Sequence, residues 1–221
     1  MNENDNQEIY KAYTDFISDR NFPCTGARAV LAAKTIFPMV AGHLSCPADD
    51  RKILQFLHTF IDHYRQAPVA LCSAAVFFRF PLQVNEAGFE EMLWQRLQAI
   101  SDLDAQQFKY DPRVSSDPAN PEFSFSIKEE ALYVIGLHPA SSRKARAFMY
   151  PALVFNPHQQ FERLKETDGY EKMKAVIRKR DIAYSGSVNP MLEDFGKSSE
   201  AGQYSGLQHD SEWTCPFKPK I

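Results

Sequence analysis

The stretch that decides the fold is Phe123-Ser-Phe-Ser-Ile-Lys-Glu-Glu-Ala-Leu-Tyr-Val-Ile-Gly-Leu137. Phe123, Phe125 and Ile127 alternate with Ser124 and Ser126, the period-two pattern of a strand with one apolar face. Leu132–Leu137 is apolar on both faces, as expected of a central strand. The short gap between the two runs predicts an antiparallel hairpin. Ala152–Phe155 reads as a further short strand. Val69–Phe80 reads as another, apolar and aromatic and ended by Pro81.

Helical stripes surround these strands. Ile9, Tyr10, Tyr13, Phe16 and Ile17 follow helical spacing, and a short helix is predicted over Thr25–Lys34. Ile53, Leu54, Leu57, Phe60, Ile61 and Tyr64 form an amphipathic face that Asp49 or Asp50 can cap. His58 and His63 lie off that face and read as solvated. Phe89, Met92, Leu93, Leu97 and Ile100 form another stripe. Asp111–Pro121 reads as a loop, and a helical region is predicted from Gln159 to about Ile182 with a weak point at Gly169. Beyond Tyr184 the chain is irregular but carries Met191, Leu192, Phe195, Trp213 and Phe217, so it is expected to wrap the body. The predicted architecture over residues 1–221 is one α+β domain, a small, mostly antiparallel sheet covered by helices.

Composition narrows the function. The 221 residues carry a formal charge of −3, which argues against general nucleic-acid binding. The acidic start, Met1–Glu8, lacks the basic and apolar regions of a signal peptide, and no apolar run reaches a membrane span. A cytoplasmic protein with reduced thiols is expected, because Cys24, Cys46, Cys72 and Cys215 include no C-x-x-C. No G-x-S-x-G, P-loop, G-x-G-x-x-G or H-E-x-x-H is present.

Two segments concentrate chemistry. In His138-Pro-Ala-Ser-Ser-Arg-Lys-Ala-Arg146 a strand delivers a histidine to its end, followed by two hydroxyls and two arginines. On a helix Arg143 and Arg146 share a face suited to a carboxylate or phosphate. The same residues also suit a Ser-capped helix with a solvated basic face. In Asn156-Pro-His-Gln-Gln-Phe-Glu162 a second strand runs into a helix with His158 and Glu162 on one face, an arrangement that suits a metal-bound imidazole. It equally suits an Asn cap and a surface histidine. We read the two segments as two walls of one ligand site.

These residues resemble the YqcI/YcgG family. The resemblance runs through Phe22-Pro-Cys24, Phe123-Ser-Phe-Ser126, Gly136-Leu-His-Pro139 with Ser142-Arg143, Phe155-Asn-Pro-His158 with Gln160-Phe-Glu162, and Ile177-Arg178 with Arg180-Asp181. It continues through Gly186-Ser187 with Asn189-Pro-Met-Leu192, Asp194-Phe-Gly196, Ser199-Glu-Ala201, Gln203-Tyr-Ser-Gly206 and Trp213 with Cys215-Pro-Phe217. The chain departs from the pattern at Lys128-Glu129, where a glycine pair is expected, and at Leu207, where an arginine is expected.

The resemblance implies a non-covalent haem b and N-hydroxylation of a guanidine or amine group in an arginine-like small molecule. A reductant or redox partner is then required, and a homo-oligomer is compatible with the sequence. Carried onto this chain, it implies His158 as axial ligand with Glu162 behind it. His138 is the second choice for that role, or a distal proton donor; Cys215 and Cys24 are lesser candidates. Arg143 and Arg146 would hold the propionates, with Ser142 and Asn156 as further cofactor contacts. Asp181, Asp194 and Glu200 are the carboxylates available to a guanidine substrate. The alternative is a non-catalytic haem- or small-anion-binding protein, a sensor or carrier.

Overall fold

A computed structural model describes residues 3–67, 71–165, 169–187 and 195–220. Five strands form one mixed sheet in the order β1-β2-β5-β4-β3. They are β1 Ile36–His43, β2 Ser73–Phe80, β3 Phe125–Ile127, β4 Glu130–Leu137 and β5 Ala152–Pro157. Only β1 and β2 pair in parallel; β2–β5, β5–β4 and β4–β3 are antiparallel, as the predicted fold requires. The strand predicted over Val69–Phe80 begins at Ser73, and Val69 and Ala70 lie outside the described residues. Strand β1 carries Pro38, which cannot donate to a ladder. It therefore lies at the sheet edge, where only one side must pair.

Both sheet faces are covered. Ala74, Val76 and Phe78 of β2 point into a core with α3 (Asp50–Gln66) and α4 (Glu86–Asp104), built from the two predicted stripes. Ala75 and Phe77 point the other way, to α1 (Glu3–Ser18) and α2 (Thr25–Ala33). The strand period of two thus separates the cores, and it explains why β2 and β5 read as continuous apolar runs. The helical region after β5 comprises α5 (His158–Lys165) and α6 (Gly169–Ser185); residues 166–168, before Gly169, lie outside the described residues. A short helix, α7 (Ala201–Tyr204), follows. No helix among the described residues is long and apolar enough to cross a membrane.

The predicted hairpin forms, with Ile127 opposite Glu130 and a two-residue loop between them. Lys128 and Glu129 adopt φ of 52° and 55°, the left-handed region that favours glycine. Neighbours hold the turn in place of glycine. Arg65 donates to the carbonyls of Lys128 (2.7 Å) and Glu129 (3.1 Å). The Lys128 N–H donates to Asp104 (2.8 Å), and its ammonium donates to Asp62 (2.7 Å).

His58 is not a solvated residue as the stripe suggested. Its Nε2 lies 2.6 Å from Asp104 Oδ1, and its ring meets Phe108 edge-on. His63 is exposed, as expected, with its ring against Phe37. Both contacts come from other elements and so are invisible to a helical wheel.

The irregular C-terminal wrap is a strap along one face of α4. Glu90 accepts from Ser205 (2.7 Å) and lies 2.9 Å from His209 Nε2. Trp94 packs on Trp213 and Phe217. Gln98 exchanges two hydrogen bonds with the Lys218 backbone, and Asp102 pairs with Lys220. Positions 90, 94, 98 and 102 are spaced by four, so one helical face receives the whole strap.

Candidate functional site

The two histidine segments do not form two walls of one site. His138 follows the C-terminal end of β4 and His158 the C-terminal end of β5. These strands are antiparallel neighbours, with Leu137 opposite Ala152 and Leu132 opposite Pro157. Their C-terminal ends therefore point in opposite directions. About seven residues of strand separate the histidines, on the order of 20 Å.

The His138 end gathers Ser142, Arg143, Arg146 and Asp181. His138 is 1% exposed, and its ring stacks on Phe89 with centroids 4.2 Å apart. Its Nδ1 is buried without a hydrogen-bond partner among the described residues. Desolvation, the largest influence, pushes its pKa down to about 4, so the ring is neutral near pH 7. The following segment is not the predicted helix. Arg143 is extended and only Lys144–Arg146 make a single 3-10 turn, so the two arginines do not share a helical face. Arg143 pairs with Asp181 (2.6 Å) and with the Ser187 carbonyl (3.0 Å). The Ser142 N–H and hydroxyl both donate to Glu86.

Arg146 turns inward. It is buried, and Nη1 donates to the carbonyls of Tyr204 (2.9 Å) and Gly136 (3.3 Å). Two glycines make that route possible. A Cβ on Gly206, where φ is 84°, would lie 2.6 Å from Arg146 Cδ. A Cβ on Gly136 would lie 2.8 Å from the Tyr204 carbonyl oxygen. The guanidinium thus ties the His138 turn to α7, which fills the edge of β4 beyond the short strand β3.

There lies Glu200, one of the carboxylates the resemblance implies, with companions it does not name. Glu200 Oε1 accepts from the Ser124 hydroxyl (2.7 Å) and the Tyr204 hydroxyl (2.5 Å). The Tyr204 hydroxyl accepts from the Phe125 N–H (3.0 Å). Tyr133 donates to Gln203 Oε1 (2.8 Å). Burial, against the pull of these hydroxyls, pushes the Glu200 carboxyl up to about 8. One signal for this cluster was present in the chain: Glu200 and Tyr204 stand four apart, on one side of a helical turn. His138, Arg146, Tyr133, Gln203, Tyr204, Glu200 and Ser124 together make a buried polar seam along β4.

The remaining residues lie elsewhere. His158 is buried against Phe195, with ring centroids 4.2 Å apart, and is not the surface residue its alternative reading described. Desolvation lowers its pKa. Glu162 is engaged by Lys165 (2.6 Å), and its influence on His158 is electrostatic. Asn156 is not a helix cap; it belongs to β5, accepts from Ser73 (2.6 Å) and donates to the Tyr133 carbonyl. Cys24 caps α2 through its sulfur, and burial raises its pKa. Cys215 sits in the strap, its thiol pushed up to about 12 by burial. Asp194 lies outside the described residues. Among the described residues no cluster of three or more His, Cys, Asp or Glu could hold a metal ion.

Fold and site together define an α+β protein with a sequestered polar seam at one sheet edge. The YqcI/YcgG family profile matches residues 13–218, and this chain belongs to that family. It is 26% identical over 209 residues to "Uncharacterized protein YqcI" of Bacillus subtilis (strain 168), covering 90% of this chain and 81% of that protein. No solved structure matches the chain.

Proposed function

We propose that this protein is a haem-dependent monooxygenase that N-hydroxylates a small guanidine- or amine-bearing molecule, with His138 facing the iron. The observation that carries the reading is the buried His138 Nδ1, which has no hydrogen-bond partner among the described residues. An orphaned polar atom is costly in a folded protein, and a bound ligand would relieve that cost. A neutral imidazole held by stacking on Phe89 is also the form that binds iron. The orphaned nitrogen and the neutral ring support haem as the bound group.

His138 is preferred over His158 because Ser142, Arg143 and Arg146 lie at its end of the sheet. Arg143, which already holds the Asp181 carboxylate, would hold a propionate. Asp181, the partner of Arg143, is the carboxylate assigned to a cationic substrate. Haem, when bound, would supply dioxygen activation, and a reductant or redox partner would supply electrons. Four free cysteines suit a reducing cytoplasm.

The test is the absorption spectrum of protein from haem-supplemented cells. A Soret band that His138→Ala abolishes and His158→Ala retains is expected. A colourless protein that gains no such band on hemin titration overturns the reading. Turnover is then assayed with arginine, other guanidines and amines, dioxygen and a reductant, detecting N-hydroxylated product by mass. Bound haem without product assigns the protein to haem binding without catalysis.

A further inference from the structure

Three oxidisable rings lie in series between the surface strap and the seam. Trp213, partly exposed, has its ring centroid 6.5 Å from Trp94. Trp94 is 3% exposed and stacks on Tyr204 at 5.6 Å and 25°. Tyr204 is fully buried, and its hydroxyl donates to Glu200 at 2.5 Å.

Simple packing does not account for this choice of side chains. The Trp94 Nε1 is buried without a hydrogen-bond partner among the described residues, a cost that phenylalanine or leucine would avoid. Two further rings of this core, Phe123 and Phe217, are phenylalanines and leave no polar atom unpaired. Indole and phenol differ from phenylalanine in giving up an electron far more readily. Electron tunnelling falls off exponentially with separation, so rings in near contact exchange electrons faster than any longer jump.

We infer that Trp213, Trp94 and Tyr204 form a relay for oxidising equivalents between the protein surface and the β4 edge, with Glu200 as the proton acceptor of Tyr204. A one-electron oxidant at the strap takes an electron from Trp213. Trp213 is refilled from Trp94, and Trp94 from Tyr204, whose phenolic proton crosses to the Glu200 carboxylate. At the end the oxidant is reduced by one electron, Tyr204 is a neutral phenoxyl radical and Glu200 is a carboxylic acid. The relay ends at Tyr204 because Tyr133, the next ring at 5.8 Å, donates to the amide oxygen of Gln203, which is not a base.

Glu200 must be ionised to accept the proton. Its hydroxyl partners are Ser124 and Tyr204, and the other titratable groups that influence it or feel its charge are Tyr110, Tyr133 and Lys165. With its carboxyl at about 8, the ionised fraction and the phenoxyl yield both rise roughly tenfold between pH 7 and pH 9.

The relay does not depend on haem, and its test uses the protein without haem. Ruthenium(III) tris-bipyridine, generated by flash–quench, is the oxidant, and transient absorption reads tryptophan and phenoxyl radicals. The parent protein is expected to form a phenoxyl signal at pH 9. Tyr204→Phe abolishes it, while Trp94→Phe and Glu200→Gln each lower it at least tenfold and leave the Trp213 radical longer-lived. Circular dichroism establishes that each variant is folded; should Tyr204→Phe not fold, the other two decide. A phenoxyl signal unchanged in Trp94→Phe and Glu200→Gln overturns the inference. A missing Soret band leaves it standing, so its failure and that of the haem reading are distinguishable.

Discussion

Replacing Glu200 by glutamine should flatten the dependence of stability on pH. In the folded protein the Glu200 carboxyl keeps its proton to about 8, because ionisation would bury a charge beneath α7; the reference value is 4.5. The unfolded chain thus releases a proton at lower pH than the folded one. The stabilisation associated with this group is fully present below about 4.5 and is lost as pH rises through about 8. Each unit of difference corresponds to about 1.4 kcal/mol, so the full swing is on the order of 5 kcal/mol, with a slope near 1.4 kcal/mol per pH unit inside the window. Glutamine keeps a carbonyl oxygen for the Ser124 and Tyr204 hydroxyls but cannot ionise. Urea unfolding of parent and variant at pH 5 through 9 measures the effect. The difference between the two curves is the readout, since other groups titrate equally in both. The variant should gain on the parent steadily above pH 5 and be the more stable protein at pH 8.5. Parallel curves across that range would refute the assignment of Glu200 as a buried, proton-holding acid.

Glu129→Gly should stabilise the protein by about 0.5–1 kcal/mol in the same assay, because relief of a left-handed residue exceeds the added chain entropy of glycine. Arg65→Met should cost about 1–3 kcal/mol by removing the hydrogen bonds to the Lys128 and Glu129 carbonyls, with the loss read as a lower urea midpoint. Gly206→Ala should cost more than about 2 kcal/mol, since a positive φ and the Arg146 side chain both oppose a Cβ; a near-neutral melt would show that Arg146 can move aside. Trp213→Ala should loosen the strap, and limited proteolysis should then cut after residue 204 faster than in the parent, with the cleavage sites read by mass spectrometry.

Much of this architecture was legible in the chain because it rests on local periodicity. The alternation at Phe123–Ile127, the double-faced run at Leu132–Leu137 and the stripes of α3 and α4 each declare an element and its buried side. Strand β1 was not legible, since Pro38 interrupts it and its pairing with β2 crosses from one part of the chain to another. The turn at Lys128-Glu129 reads as a departure until Arg65, Asp62 and Asp104 are seen around it.

The chain by itself determined which residues stand as candidates: His138, Arg143, Arg146 and His158 are visible as strand-end groups, and Glu200 as one of the carboxylates the resemblance implies. Only the tertiary structure decided which of them meet. Antiparallel pairing sends His138 and His158 to opposite ends of the sheet, whereas a buried arginine joins His138 to a helix some sixty residues further on. Protonation was likewise undecided by the chain. A carboxyl or an imidazole has its ordinary pKa until neighbouring elements strip away its water, and that burial is a property of the assembled fold.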